Sequence, residues 1–127
     1  MERISSGSPW EQKVGYSRAV IKRGIVFVSA TAASGPDGQI IGKGDAYLQA
    51  RTILYSVEKV LIEAGSKLED VVQSRIYLTD IALFEDVARA HGEVFSEIRP
   101  ALSLLHVKPF VSQDILVEIE ITAMKDA

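Results

Sequence analysis

The sequence predicts an α+β fold in the order β-β-α-β-α-β-β, one sheet with two helices on one face. Three observations predict it. Two short apolar runs flank a turn signal at Arg23-Gly24, two longer segments repeat apolar residues at helical spacing, and the remaining runs alternate with the period of a strand. The 127 residues contain no repeat, low-complexity stretch or long linker, so a single domain over 1–127 is expected, with residues 1–15 as an N-terminal arm.

The arm is polar and rich in small residues, with Ser5, Ser6, Gly7, Ser8 and Pro9, and reads as a loose lead-in. Residues 16–22 and 25–33 read as a β-hairpin across Arg23-Gly24. Residues 34–38, Ser-Gly-Pro-Asp-Gly, form a turn. Asp45 suits a helix N-cap, and Ala50, Ile53, Leu54, Val57, Val60, Leu61 and Ala64 then recur at helical spacing up to Gly65. This predicts a helix over 46–64. In the strand that follows, Val72, Ser74, Ile76 and Leu78 alternate with Gln73, Arg75, Tyr77 and Thr79. Asp80 caps a second helix over 81–96, with Phe84, Val87, Ala88, His91, Val94 and Phe95 as its apolar stripe, and Pro100 ends that segment. Residues 101–107 and 115–124 read as the last two strands.

The hairpin and strand 101–107 are apolar on both alternations, as in Val26 and Val28 with Ile25 and Phe27, or Leu102 and Leu104 with Leu105 and Val107. Strands of that kind are covered on both faces. Two helices supply one cover, so further copies of the chain are expected to supply the other.

Composition narrows the chemistry. The chain has no cysteine, which excludes a disulfide scaffold, a cysteine-ligated zinc site and a thiol nucleophile. With His91 and His106 as its only histidines, a multi-histidine metal site is excluded, and neither metal nor cofactor is expected. Fourteen Lys and Arg against 17 Asp and Glu leave a formal charge of −3, which argues against nucleic acid as a partner. No apolar run reaches the roughly 20 residues of a membrane span, and residues 1–10 lack the apolar core of a signal peptide, so a cytoplasmic protein without a membrane partner is expected.

The segments Gly15-Tyr16-Ser17-Arg18-Ala19-Val20, Val26-Phe27-Val28-Ser29, Gln49-Ala50-Arg51, Ala64-Gly65, Leu68-Glu69-Asp70-Val71, Tyr77-Leu78-Thr79-Asp80, Arg99-Pro100-Ala101 and Val117-Glu118-Ile119-Glu120 resemble, in order and spacing, those of the RidA/YjgF family. These are the reactive-intermediate deaminases, also described as endoribonuclease L-PSP or translation-inhibitor proteins. The resemblance runs from Gly15 to Ala123 and implies a chorismate-mutase-like sheet, a homotrimer packed as a central barrel, and small-molecule clefts between subunits. In active members those clefts hydrolyse enamine and imine intermediates to keto acids and ammonia.

The resemblance also implies site residues. Glu118 matches the cleft glutamate that positions or activates water. Tyr16 and Ser29 match cleft positions, where a ring walls the ligand and a hydroxyl orients it. Leu102 stands where the family places the arginine that pairs with a substrate carboxylate, and leucine offers neither charge nor donor. Leu104 stands at the position of a cysteine and Ala88 at that of an asparagine. His106 alternates with Leu102 and Leu104 and is the candidate substitute acid or base; Arg99 is a second cation near the cleft. His91 reads as a hydrogen-bonded packing residue, Glu120 as a partner for Arg75 or a lysine, and Trp10 with Glu11 as a lid over the cleft rim or a packed arm. The expected function is a homotrimer whose clefts bind or process a small metabolite, without the standard carboxylate clamp. The alternatives are an active imine deaminase, a hydrolase releasing keto acid and ammonia, and a non-catalytic binding or regulatory module. A ribonuclease or translation inhibitor fits the charge poorly.

Overall fold

Arg23 and Gly24 take φ of 52° and 75°, the left-handed backbone of a two-residue hairpin turn, and join β2 (Ala19–Lys22) to β3 (Ile25–Thr31). A computed structural model describes residues 1–126 of the chain; the last residue of the expected 1–127 domain lies outside them. Asp45 accepts a hydrogen bond from the Leu48 N–H at 3.0 Å and starts α2 (Ala46–Glu63), and Gly65 follows its end at φ 78°. Ile53, Leu54, Val57 and Leu61 of α2 are buried. Asp80 caps a short 3₁₀ turn, Ile81–Leu83, by accepting from the Ala82 N–H at 2.9 Å. The α-helix α3 (Phe84–Phe95) begins only after that turn. Its buried face is Val87, Ala90, His91 and Phe95. The expected stripe is corrected at two positions: Phe84 is exposed as the first residue of the helix, and Ala88 stands about 100° round from Val87 and is only half-buried.

Four further strands complete one sheet: β1 (Glu2–Ile4), β4 (Val71–Leu78), β5 (Ala101–His106) and β6 (Val117–Met124). The order is β1-β2-β3-β6-β4-β5, with β4 and β5 parallel and the other neighbours antiparallel. Neighbours paired across a sheet share a face. Val26 and Val28 of β3, Ile76 and Leu78 of β4, and Ile119 and Ile121 of β6 therefore meet α2 and α3 in one core. Val72, expected on that face, is exposed, because β4 slips by one residue against β6 between Val71 and Gln73 and Val71 is buried instead.

The arm is not loose. Glu2–Ile4 forms an edge strand, β1, against β2, and Pro9–Val14 forms a short helix, α1. Ser8 caps α1 by accepting from the Trp10 N–H at 3.2 Å. Glu11 turns inward and accepts from both the N–H and the hydroxyl of Ser6. Burial pushes the Glu11 carboxyl up, but the bonds from Ser6, aided by Ser5 and the charge of Arg18, outweigh it and hold the group below the ordinary carboxylate range. A three-residue edge strand and a six-residue polar helix are too short to carry a period, so the sequence showed neither.

The helices cover one face only. On the other, Phe27 is 47% exposed and Leu105 43%, around the polar residues Arg75, Tyr77, Glu118 and Glu120. The edge strand β5 leaves Leu102 51% exposed. The two-sided apolar pattern is thus real, but within one chain its second cover is missing. Among the described residues no helix is long and apolar enough to cross a membrane.

His91 is buried, with Nε2 3.0 Å from the Ser74 hydroxyl, and burial lowers its pKa below the ordinary 6.5. The folded chain favours the neutral ring, so this contribution is complete above pH 6.5 and is lost as the pH falls through the folded pKa. The difference in melting temperature between wild type and His91→Gln should shrink as the pH is lowered from 7.5 towards 5, about the range of histidine titration. A difference independent of pH would contradict a buried neutral ring.

Candidate functional site

β3 carries one residue more than β6 between their flanking pairs: Val28 faces Ile121, but Thr31 faces Ile119. Such a bulge frees backbone groups from the ladder and re-aims side chains. Here it gathers the chain entering β2. The Ser29 N–H donates to the Arg18 carbonyl at 3.0 Å, the Ser29 hydroxyl donates to the Ser17 carbonyl at 2.7 Å, and Arg18 Nη2 donates to the Ala30 carbonyl at 2.7 Å. The guanidinium of Arg18 lies 5.9 Å from the centre of the Tyr16 ring.

Tyr16, Arg18 and Glu118 line an open groove of about 1260 Å³. Its other walls are the arm with Trp10, the loop around Pro36, the outer side of α2 with Tyr55 and Lys59, and the loop before β6 with Ile115. The buried Gln49 fixes that last wall to α2. Its amide donates to the carbonyls of Gly42 and Asp114 at 3.0 and 2.9 Å, and its oxygen accepts from the Leu116 N–H at 3.0 Å. Three bonds from one buried amide thereby set where β6 starts, and so where Glu118 stands.

Glu118 and Glu120 share a face, as their alternation requires, but differ in surroundings. Glu120 accepts from the Tyr77 hydroxyl at 2.6 Å and from Arg75 Nη1 at 3.3 Å, and the Tyr77 hydroxyl is pushed up chiefly by that bond. Glu120 is structural, as expected. Glu118 is half-buried, and its carboxyl makes no hydrogen bond or ion pair among the described residues. Burial pushes its carboxyl above the ordinary carboxylate range, and the charge of Arg18 partly opposes that shift. A carboxyl of that kind can accept or release a proton nearer to neutrality.

The other expected residues lie elsewhere. Ser29 does not line the groove, and its hydroxyl is engaged with Ser17. Leu102, Leu104 and His106 share one face of β5, facing Ser74, Ile76 and Leu78 across the parallel pairing. Glu118 faces Tyr77 and so stands on the opposite face, with β4 between β6 and β5. One chain therefore does not bring Glu118 together with Leu102, Leu104 and His106. Arg99 is exposed at φ 56°, and its N–H donates to the Phe95 carbonyl at 2.8 Å to close α3, so its backbone serves the turn. Trp10 does stand on the groove rim, its ring 5.2 Å from Lys13 Nζ. The groove also holds Arg18, which no periodicity or capping pattern singles out. Its signal was a cation two residues after Tyr16, at the mouth of an otherwise apolar strand. Among the described residues no group of three or more His, Asp or Glu side chains is placed to hold a metal ion.

The family described as Endoribonuclease L-PSP matches residues 8–125. An uncharacterised protein of Streptomyces coelicolor is 35% identical over all 127 residues, which cover 94% of that protein. A RutC family protein of Pyrococcus abyssi is 32% identical over 111 residues, 87% of each chain. A crystal structure of a YjgF/YER057c/UK114 family member from Mycobacterium tuberculosis superposes with a TM-score of 0.86 at 40% identity, covering 97% of this chain and 98% of that one. With nearly its whole length matched in sequence and in fold, this chain belongs to the endoribonuclease L-PSP family, the RidA/YjgF proteins.

Proposed function

We propose that this protein binds or processes a small metabolite in clefts formed where copies of the chain meet, and that it lacks the carboxylate clamp of the imine deaminases. The observation that carries this reading is Glu118, a half-buried carboxyl without a partner, lining an open groove beside Tyr16. Partnerless carboxyls are costly to bury, and sites that do chemistry retain them. The exposed apolar residues of β5 and of the uncovered sheet face support assembly into the homotrimer that the family resemblance implies. In that assembly β5 of one copy approaches the groove of the next, so that Leu102, Leu104 and His106 complete the cleft from the far side. Tyr16 walls the ligand, and Glu118 holds a water or a polar hydrogen of the ligand.

Leu102 sets the limit of this reading. A carboxylate needs paired N–H donors at that point, and a leucine supplies none. The wild-type protein should not speed the hydrolysis of freshly generated 2-iminopropanoate above the rate in buffer, measured as release of ammonia and pyruvate. Leu102→Arg should install measurable hydrolysis in the same assembly, with water adding to the imine carbon and ammonia leaving, and Leu102→Arg/Glu118→Gln should abolish it. Rapid turnover by the wild type would overturn the loss of the clamp; an inactive, correctly assembled Leu102→Arg would show that Tyr16 and Glu118 do not suffice.

The raised pKa of Glu118 gives a second test. A carboxyl whose folded pKa exceeds its unfolded value stabilises the fold at low pH, and that contribution is lost as the pH rises through the folded pKa. Glu118→Gln removes the cost of the buried charge, so its melting temperature should exceed that of wild type at pH 7–8, about neutrality, and converge with it as the pH falls below about 4.3. A variant less stable than wild type at neutral pH would mean that Glu118 holds the fold together.

A further inference from the structure

Arg18 is half-buried in the groove wall, and its charge acts on Glu11 and Glu118 without forming an ion pair with either. Of the five N–H donors of a guanidinium, one bond is made, from Nη2 to the Ala30 carbonyl at 2.7 Å. Nε is buried with no acceptor, alone in that condition among the described side-chain atoms. No carboxylate pairs with the group among the described residues, although Glu118 stands close enough to feel its charge. A charged group this poorly satisfied calls for an explanation beyond packing. The bond to Ala30 and the Tyr16 ring hold the guanidinium in one place, and the groove opens beside it. The other cation lining the groove, Lys59, lies over the Tyr55 ring with Nζ 5.1 Å from its centre.

We propose that Arg18 is the anion-binding residue of the groove, and that its ligand is a small carboxylate bearing a hydroxyl or amino hydrogen for Glu118. The proposal rests on the metabolite-cleft reading and names the chemistry of its ligand. Among the described residues Nη1 has no partner and is not buried, so its two N–H groups are open to a carboxylate, while Nη2 is anchored on the Ala30 carbonyl. The anchor is made before the ligand arrives, so little ordering remains to be done on binding. A singly charged ligand fits better than a phosphate dianion, because one guanidinium faces it and the carboxyl of Glu118 stands nearby. Arg18 enters the groove from the residue just before β2, whereas Leu102 belongs to β5, so the anion seat is displaced from the position of the lost clamp rather than rebuilt there.

Calorimetric titration of the full-length wild-type assembly with 2-hydroxybutanoate, with its neutral amide 2-hydroxybutanamide and with inorganic phosphate tests this. The carboxylate should bind about tenfold or more tightly than the amide, and more tightly than phosphate. Arg18→Gln should weaken the carboxylate by about tenfold and leave the amide unchanged, so that the preference disappears. Because Arg18→Gln also loses the bond to Ala30, Arg18→Lys serves as a second variant; it keeps the charge without the fork and should retain part of the preference. Equal binding of carboxylate and amide to the wild type, an undiminished preference in a folded Arg18→Gln, or tighter binding of phosphate would each overturn the proposal while leaving a small-molecule groove in place. Binding of none of the three would count against both the proposal and the cleft reading.

Discussion

Two helices can cover only one face of a six-stranded sheet, and the rest of this structure follows from that constraint. α2 and α3 pack on the face carrying Val26, Ile76, Ile119 and their neighbours, and that side is closed. The opposite face mixes exposed Phe27 and Leu105 with an ordered polar network of Arg75, Tyr77 and Glu120. Burying a large apolar side chain contributes roughly 1.5–3 kcal/mol, so a face of this kind gains stability when something covers it. In the network the Glu120 carboxylate is met by two donors, the Tyr77 hydroxyl and Arg75, so the charge on that face is partnered. The proposed assembly with further copies of the chain accounts for both features together.

Within the chain, the groove depends on two small devices. The bulge in β3 turns the Ala30 carbonyl towards Arg18 and holds residues 17 and 18 against the sheet. Gln49 ties α2 to the loop that leads into β6, which fixes the level at which Glu118 emerges. Each sets the position of a residue that lines the groove, Arg18 in one case and Glu118 in the other.

The regular elements were legible in the sequence because their signals are local. Asp45, the apolar spacing and Gly65 bound α2, and Arg23-Gly24 forces the hairpin. The alternation of the last strand placed Glu118 and Glu120 on one face, and that of β5 placed Leu102, Leu104 and His106 on one face. Which of those two sets faces the helices depends on the register between β4 and its two neighbours, which no single segment carries. The bulge in β3 is likewise a property of a pair of strands, so neither the place of Arg18 nor the bond of the Ser29 hydroxyl to Ser17 is written in one segment. The N-terminal elements were missed for a different reason: α1 is held by Ser8 and by Glu11 with Ser6 rather than by an apolar stripe.

A single chain is thus proposed to be structurally incomplete, its site closing only against other copies. Native mass spectrometry of the purified protein at micromolar concentration tests it most directly. A trimer of the 13.9 kDa chain, with little free monomer, is expected. A stable monomer at that concentration would contradict it, because the exposed face of β5 and the groove beside Glu118 would then have nothing to meet.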